Sequence, residues 1–151
     1  MDDLISIILK ARRKGIFRSR PIFDCFSTVS ENELLAIEAK INCKLPVSLR
    51  QWLLSAGYGD INESLSFRKN WFQVIDRGQL EGHVIFAQDI LGNFYAFNPY
   101  SEDIFYISRS YNGYASVATD FQTFLLELIE RDYHLGPWMD SLELKDYSWR
   151  D

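Results

Sequence analysis

The sequence predicts an α+β fold: N-terminal helices, an antiparallel meander sheet and a closing C-terminal helix. Three observations carry this. Apolar residues recur at helical spacing up to Ala56, the pattern changes to short aromatic and β-branched runs separated by turn signals after Gly59, and helical spacing returns from Phe121. Helices grouped at the ends of a run of strands with short connections favour antiparallel pairing over a parallel α/β arrangement.

Leu4, Ile5, Ile8, Leu9 and Ala11 place an amphipathic helix over residues 3–14, stopped at Gly15. The stretch 18–24, interrupted by Pro21, lacks a clear period and reads as a connection or edge strand. Ser30 stands three residues before Glu33, the spacing of a capping box, so a helix is expected over 31–41 with Leu34, Ile37 and Ile41 as its stripe and Leu35 widening it. Pro46 suits the first turn of the next helix, because its missing N–H has no partner there. Leu49, Trp52, Leu53 and Ala56 give that helix an apolar face, and Gly57 is placed to end it. Gly57-Tyr58-Gly59-Asp60 then reads as a turn rather than a phosphate cradle, since it follows a helix and has neither P-loop nor Rossmann spacing.

Strands are expected at 65–67, 71–75, 84–87, 94–97 and 104–107, with a further short one at 115–118 after Asn112-Gly113. Turns fall at Asp76-Arg77-Gly78, Glu81-Gly82, Leu91-Gly92-Asn93 and Asn98-Pro99. Thr119 or Asp120 caps a helix whose stripe is Phe121, Phe124, Leu125, Leu128 and Ile129. Glu127 and Arg131 on it have the favourable spacing of an exposed ion pair. Gly136-Pro137 reads as a helix break. Trp138, Met139, Leu142, Leu144, Tyr147 and Trp149 make the remainder too apolar for a free tail.

At 151 residues and 47% hydrophobic, the chain fits one compact domain spanning residues 1–151, with no internal repeat or linker. The apolar runs are too short to cross a bilayer, and the start Met1-Asp2-Asp3 lacks the features of a secretory signal, so a cytoplasmic protein is expected. Cys25 and Cys43 are too few for a disulfide framework and are expected to stay reduced. Two histidines, His83 and His134, without H-x-x-x-H or C-x-x-C spacing, supply no transition-metal motif. Neither a metal nor a cofactor is expected.

The net charge of −5 is uneven: residues 1–24 hold six basic and three acidic groups, leaving the rest of the chain at −8. A body of that sign repels nucleic acid and steers a basic protein toward it. The basic N-terminal segment reads as a solvated helix face, with contact to a membrane or an acidic partner as the alternative reading. His83 near Glu81 and Asp89 could serve as a general base if a carboxylate oriented its ring, although a structural histidine at a strand end accounts for it better. His134 follows the last helix, where a cation interacts favourably with the C-terminal dipole. Glu102 and Asp103 are adjacent on a predicted strand start and therefore point apart, which suits an exposed hairpin tip better than paired acid/base work.

The order Leu45-Pro46, Trp52-Leu53-Leu54, Gly57-Tyr58-Gly59-Asp60, Val84-Ile85-Phe86-Ala87-Gln88-Asp89, Gly92-Asn93-Phe94-Tyr95-Ala96-Phe97 and Asp120-Phe121-x-x-Phe124-Leu125 resembles the SUKH superfamily of Smi/Knr-like domains over residues 31–131. Residues 1–24 and 134–151 lie outside it, as extensions packed on the domain. The resemblance implies binding rather than catalysis. Bacterial members commonly act as immunity proteins that neutralise a polymorphic toxin, often a nuclease or deaminase, and fungal relatives serve as regulatory modules. It transfers no catalytic residue. The expected partner is a cognate protein toxin with a basic surface, bound by a monomer, with neither nucleic acid nor membrane involved. The residues selected for that contact are Asp60, Glu63, Glu81, Tyr100, Glu102 and Asp103, acids on expected loops with an aromatic anchor among them. The alternatives are a regulatory or scaffold module binding an endogenous protein, and a small hydrolase centred on His83.

Overall fold

A computed structural model describes residues 1–149. The elements in order are α1 (Asp2–Lys10), β1 (Arg12–Lys14), β2 (Ser19–Pro21), β3 (Phe23–Ser27), α2 (Glu31–Ile41), α3 (Val47–Ala56), β4 (Tyr58–Ile61), β5 (Leu65–Phe67), β6 (Gln73–Val74), β7 (Val84–Asp89), β8 (Phe94–Phe97), β9 (Ile104–Ser108), β10 (Gly113–Ala118), α4 (Phe121–Glu130), α5 (Leu135–Asp140) and β11 (Lys145–Asp146). The fold is α+β, and the main sheet has the order β11-β10-β9-β8-β7-β5-β4-β3, every pair antiparallel. The same edge of β7 accepts β6 at its start and β5 at its end.

Period-two alternation sends side chains to both faces of this sheet. Val84, Phe86, Ala87, Tyr95, Phe97, Ile104 and Tyr106 join the helices in the larger core. Ile85, Ala96 and Ile107 point the other way, with Ile75, Leu80 and Tyr147, and Trp149 packs beside them. The C-terminal segment is thus the lid of the second face, which explains its aromatic content. Tyr147 donates a hydrogen bond to the Arg77 carbonyl at 2.7 Å and meets the Tyr114 ring edge-on at 5.6 Å.

The helical caps fall where their chemistry places them. Ser30 Oγ accepts from the Glu33 N–H at 3.2 Å, and Asp120, rather than Thr119, accepts from the Thr123 N–H at 2.7 Å. Glu127 and Arg131 pair at 2.7 Å. The stripe of α2 is narrower than its sequence suggests, because Leu35 is half exposed.

Several local expectations are corrected. The first helix ends at Lys10: Ala11 is extended, Arg12–Lys14 pairs with Ser19–Pro21, and Gly15 lies in the hairpin turn with its N–H donating to the Arg18 carbonyl at 2.9 Å. Gly57-Tyr58-Gly59-Asp60 is not a turn. Gly57 has φ 87°, and the following residues form β4 beside β3. The expected strand at 71–75 shrinks to Gln73–Val74 behind a 3-10 turn at Lys69–Trp71. Gly136-Pro137 does not break a helix, since both lie in the first turn of α5, where proline lacks nothing that would be bonded. Pro46 occupies the cap position just before α3.

Gly57 is required twice over: its φ disfavours L side chains, and a Cβ would stand 2.4 Å from the Ser27 carbonyl oxygen. Gly57→Ala is expected to destabilise the fold by about 3 kcal/mol, read as a lower urea midpoint at unchanged m-value.

Candidate protein-binding surface

One end of the sheet gathers the β8–β9 loop, the turn before β7 and the C-terminus of α2. The loop is held by its own polar groups. Asn98 Oδ1 accepts from the N–H groups of Tyr100 and Ser101 at 2.8 and 3.1 Å, and the Asn98 N–H donates to the Asp103 carbonyl at 2.9 Å. An asparagine closing such a turn fixes the backbone locally, so little chain entropy remains to be lost when Tyr100 is used as a contact. Tyr100 is 95% exposed. Glu102, at φ 67°, lies against the first turns of α3 and α4 in a shallow recess with Ser48, Gln51 and Gln122.

Beside the loop is a 450 Å³ pocket whose lining includes Ile41, Cys43, Glu81, His83, Asn98 and Tyr100. Asn42, in the left-handed conformation, ends α2 and turns Cys43 into it. Burial, then the nearby Glu38 carboxylate, raises the Cys43 thiol above its ordinary pKa, so it is a poor nucleophile. The other thiol, Cys25, lies exposed on β3.

The His83 ring packs edge-on against Phe105 at 5.0 Å, with Nε2 3.4 Å from Asn98 Nδ2 and Nδ1 buried without a hydrogen-bond partner. Burial lowers its pKa, against the smaller opposing pull of the Glu81 and Leu80 backbone and the Asp103 charge. Among the described residues no carboxylate is hydrogen-bonded to the ring. Asp89, expected near it, sits at the other end of β7 and closes the β7–β8 turn by accepting from the Leu91 and Asn93 N–H groups.

A pKa depressed below 6.5 has a stability consequence. Between the folded value and 6.5 the unfolded chain binds more protons than the native one. Stability is full above that window and falls as pH drops through it. His83→Gln is expected to flatten the decline in urea-derived stability between about pH 7 and pH 5.

The six residues selected from sequence divide into two groups. Glu81, Tyr100, Glu102 and Asp103 share the end just described, and among the described residues none of the three carboxylates has an ion-pair partner. Asp60 and Glu63 do not join them. Asp60 lies on β4 rather than on a loop, pairing with Arg68 at 3.2 Å and accepting from the Ser66 hydroxyl. Glu63 pairs with Arg20 in the β4–β5 turn. That turn meets the far end of β7 through the Ile90 N–H donating to the Ser64 carbonyl, whereas Val84 at the near end faces Phe97. Six residues of strand separate the two ends by about 17 Å. His134 extends toward Asp132, 3.5 Å away, just beyond α4.

Sequence reading missed a second groove of 690 Å³ on the β3–β5 side, where the Arg68 guanidinium lies 3.9 Å from the Phe26 ring and 5.5 Å from that of Trp71. Tyr58 lines it, its hydroxyl buried without a partner and its pKa raised to about 12 by burial and then by Glu33. Aromatic residues in the sequence were the only signal; their convergence on Arg68 depends on pairing across β3, β4 and β5.

The described residues contain no group of three or more histidine, cysteine or acidic side chains placed to hold a metal, and no helix long and apolar enough to cross a membrane. The described residues thus form an antiparallel α+β scaffold with polar-locked loops and open grooves. The SMI1/KNR4 family model (SUKH-1) matches residues 28–127, and the chain belongs to that family. No curated protein and no solved structure matches it.

Proposed function

We propose that this protein is a non-catalytic immunity protein that binds a cognate bacterial toxin with a basic surface and blocks its access to substrate. Family membership supports a protein-binding module. The observation that carries the finer reading is the free acidic rim: Glu81, Glu102 and Asp103 around the exposed Tyr100, with no internal cation to neutralise them among the described residues. Unpaired carboxylates steer a basic partner, and an aromatic side chain on a locally fixed backbone can anchor the complex. Asp60 and Glu63 belong to the rim of a second contact at most, because engaging them requires breaking pairs with Arg68 and Arg20.

The test is capture of stoichiometric partners by the tagged protein from its native cells, followed by coexpression with the toxin domain recovered. The expected result is a basic toxin domain, captured less well as salt rises, whose toxicity the protein relieves. Recovery of an endogenous regulator alone would replace this reading with the regulatory one that the family also supports.

A further inference from the structure

The basic N-terminal segment is a two-stranded finger rather than a helix face, and its sides differ. Arg13 and Arg20 stand opposite each other on the inner side and clamp the hairpin to the body. Arg13 Nε donates to Asn62 Oδ1 at 3.2 Å and Nη2 to the Asp132 carbonyl at 2.9 Å, while Arg20 pairs with Glu63. Asp132 and Glu63 are therefore engaged by inner-side cations.

The outer side carries Arg12 and Lys14, opposite Pro21 and Ser19, and Arg18 flanks the tip. Among the described residues Arg12 hydrogen-bonds only to Ser19, through its hydroxyl at 2.9 Å and its carbonyl at 3.0 Å. Among the described residues none of these three cations has a carboxylate partner. At the tip, Ile16 and Phe17 are 93% and 97% exposed. All residues from Lys14 to Pro21 are exposed, so no described residue covers the pair.

We propose that this hairpin is a membrane-surface contact: Ile16 and Phe17 enter the interfacial region of an anionic bilayer while Arg12, Lys14 and Arg18 engage its headgroup phosphates. Charge complementarity selects the anionic surface. The form of the tip selects lipid over protein. Two adjacent apolar side chains offer far less than the roughly 800 Å² per partner of a stable protein interface, and they lie among flexible cations of the kind that accompany apolar residues at bilayer interfaces. The tip lies on such a surface without spanning it, so the lack of a long apolar helix does not bear on it. The acidic remainder of the chain opposes approach to the same lipids, but exposed charges beyond about 8 Å are largely screened at physiological salt. The proposal is independent of the toxin-binding reading.

The test is co-sedimentation of the full chain with vesicles of equal parts phosphatidylcholine and phosphatidylserine, against vesicles of phosphatidylcholine alone. Binding to the mixed vesicles only, released by salt, is expected. Ile16→Ser with Phe17→Ser, and separately Lys14→Glu with Arg18→Glu, should each weaken it at least about tenfold. These positions lie outside the clamp, and an unchanged thermal midpoint confirms that each variant is folded. A wild-type chain that stays in the supernatant, equal binding to both vesicles, or retention by either double variant overturns the proposal. Loss of toxin capture by the Ile16/Phe17 variant, with no vesicle binding by the wild type, also overturns it and assigns the tip to a protein interface.

Discussion

Phe67→Ala is expected to lower unfolding stability by about 3–5 kcal/mol, among the largest losses that a single core truncation produces. Phe67 is fully buried on β5, and its ring meets three others from different elements: Trp52 of α3 at 5.8 Å, Phe86 of β7 at 6.3 Å and Phe121 of α4 at 6.2 Å. Alanine removes the lost transfer energy and opens a cavity whose walls belong to two helices and a strand, so no single side chain can move in to fill it. A loss of this size is a large part of the roughly 5–15 kcal/mol that holds a typical domain together. Urea unfolding followed by tryptophan fluorescence reads it directly. A loss below about 1 kcal/mol would mean that the three surrounding elements collapse freely, which close packing forbids.

Most of the frame that positions Phe67 was legible in the sequence because it rests on local rules. The caps at Ser30 and Asp120 and the stripes of α2, α3 and α4 depend on residues within a few positions of each other. The meander β7–β8–β9–β10 follows from short connections between aromatic runs. What was not legible depends on distant partners. Gly57-Tyr58-Gly59-Asp60 reads locally as a turn, yet becomes β4 because β3, from before the two helices, supplies its ladder. The sequence 10–14 continues a helical pattern, yet turns away at Ala11 because Arg12–Lys14 finds Ser19–Pro21. The same applies to the site. Acidic residues on one side of the body are readable as residue types, but whether each is free depends on the chain's other arginines. Arg68 neutralises Asp60 and Arg20 neutralises Glu63, whereas the rim around Tyr100 meets no such cation among the described residues.

That difference predicts the largest functional effect. Replacing Glu81, Glu102 and Asp103 together by lysine is expected to weaken capture of a basic toxin at least ~100-fold, since each change removes an attraction and adds a like-charge contact at the partner's surface. Much of the loss should appear as slower association, with a salt dependence smaller than that of the wild type. Glu81 and Glu102 are exposed, Asp103 is partly buried, and none of the three makes an internal ion pair among the described residues, so the triple variant should stay folded. Glu63→Lys is the control for the single rim variant Glu102→Lys, which alters the charge by the same amount. It places the same charge change about 17 Å away, at the other end of β7, where Arg20 already occupies the carboxylate. It should leave toxin affinity within about threefold, a rim-like effect. Equal losses from Glu63→Lys and Glu102→Lys would show that overall charge alone governs association. Loss from Glu63→Lys only would move the contact to the β4–β5 turn and remove the acidic rim from the mechanism.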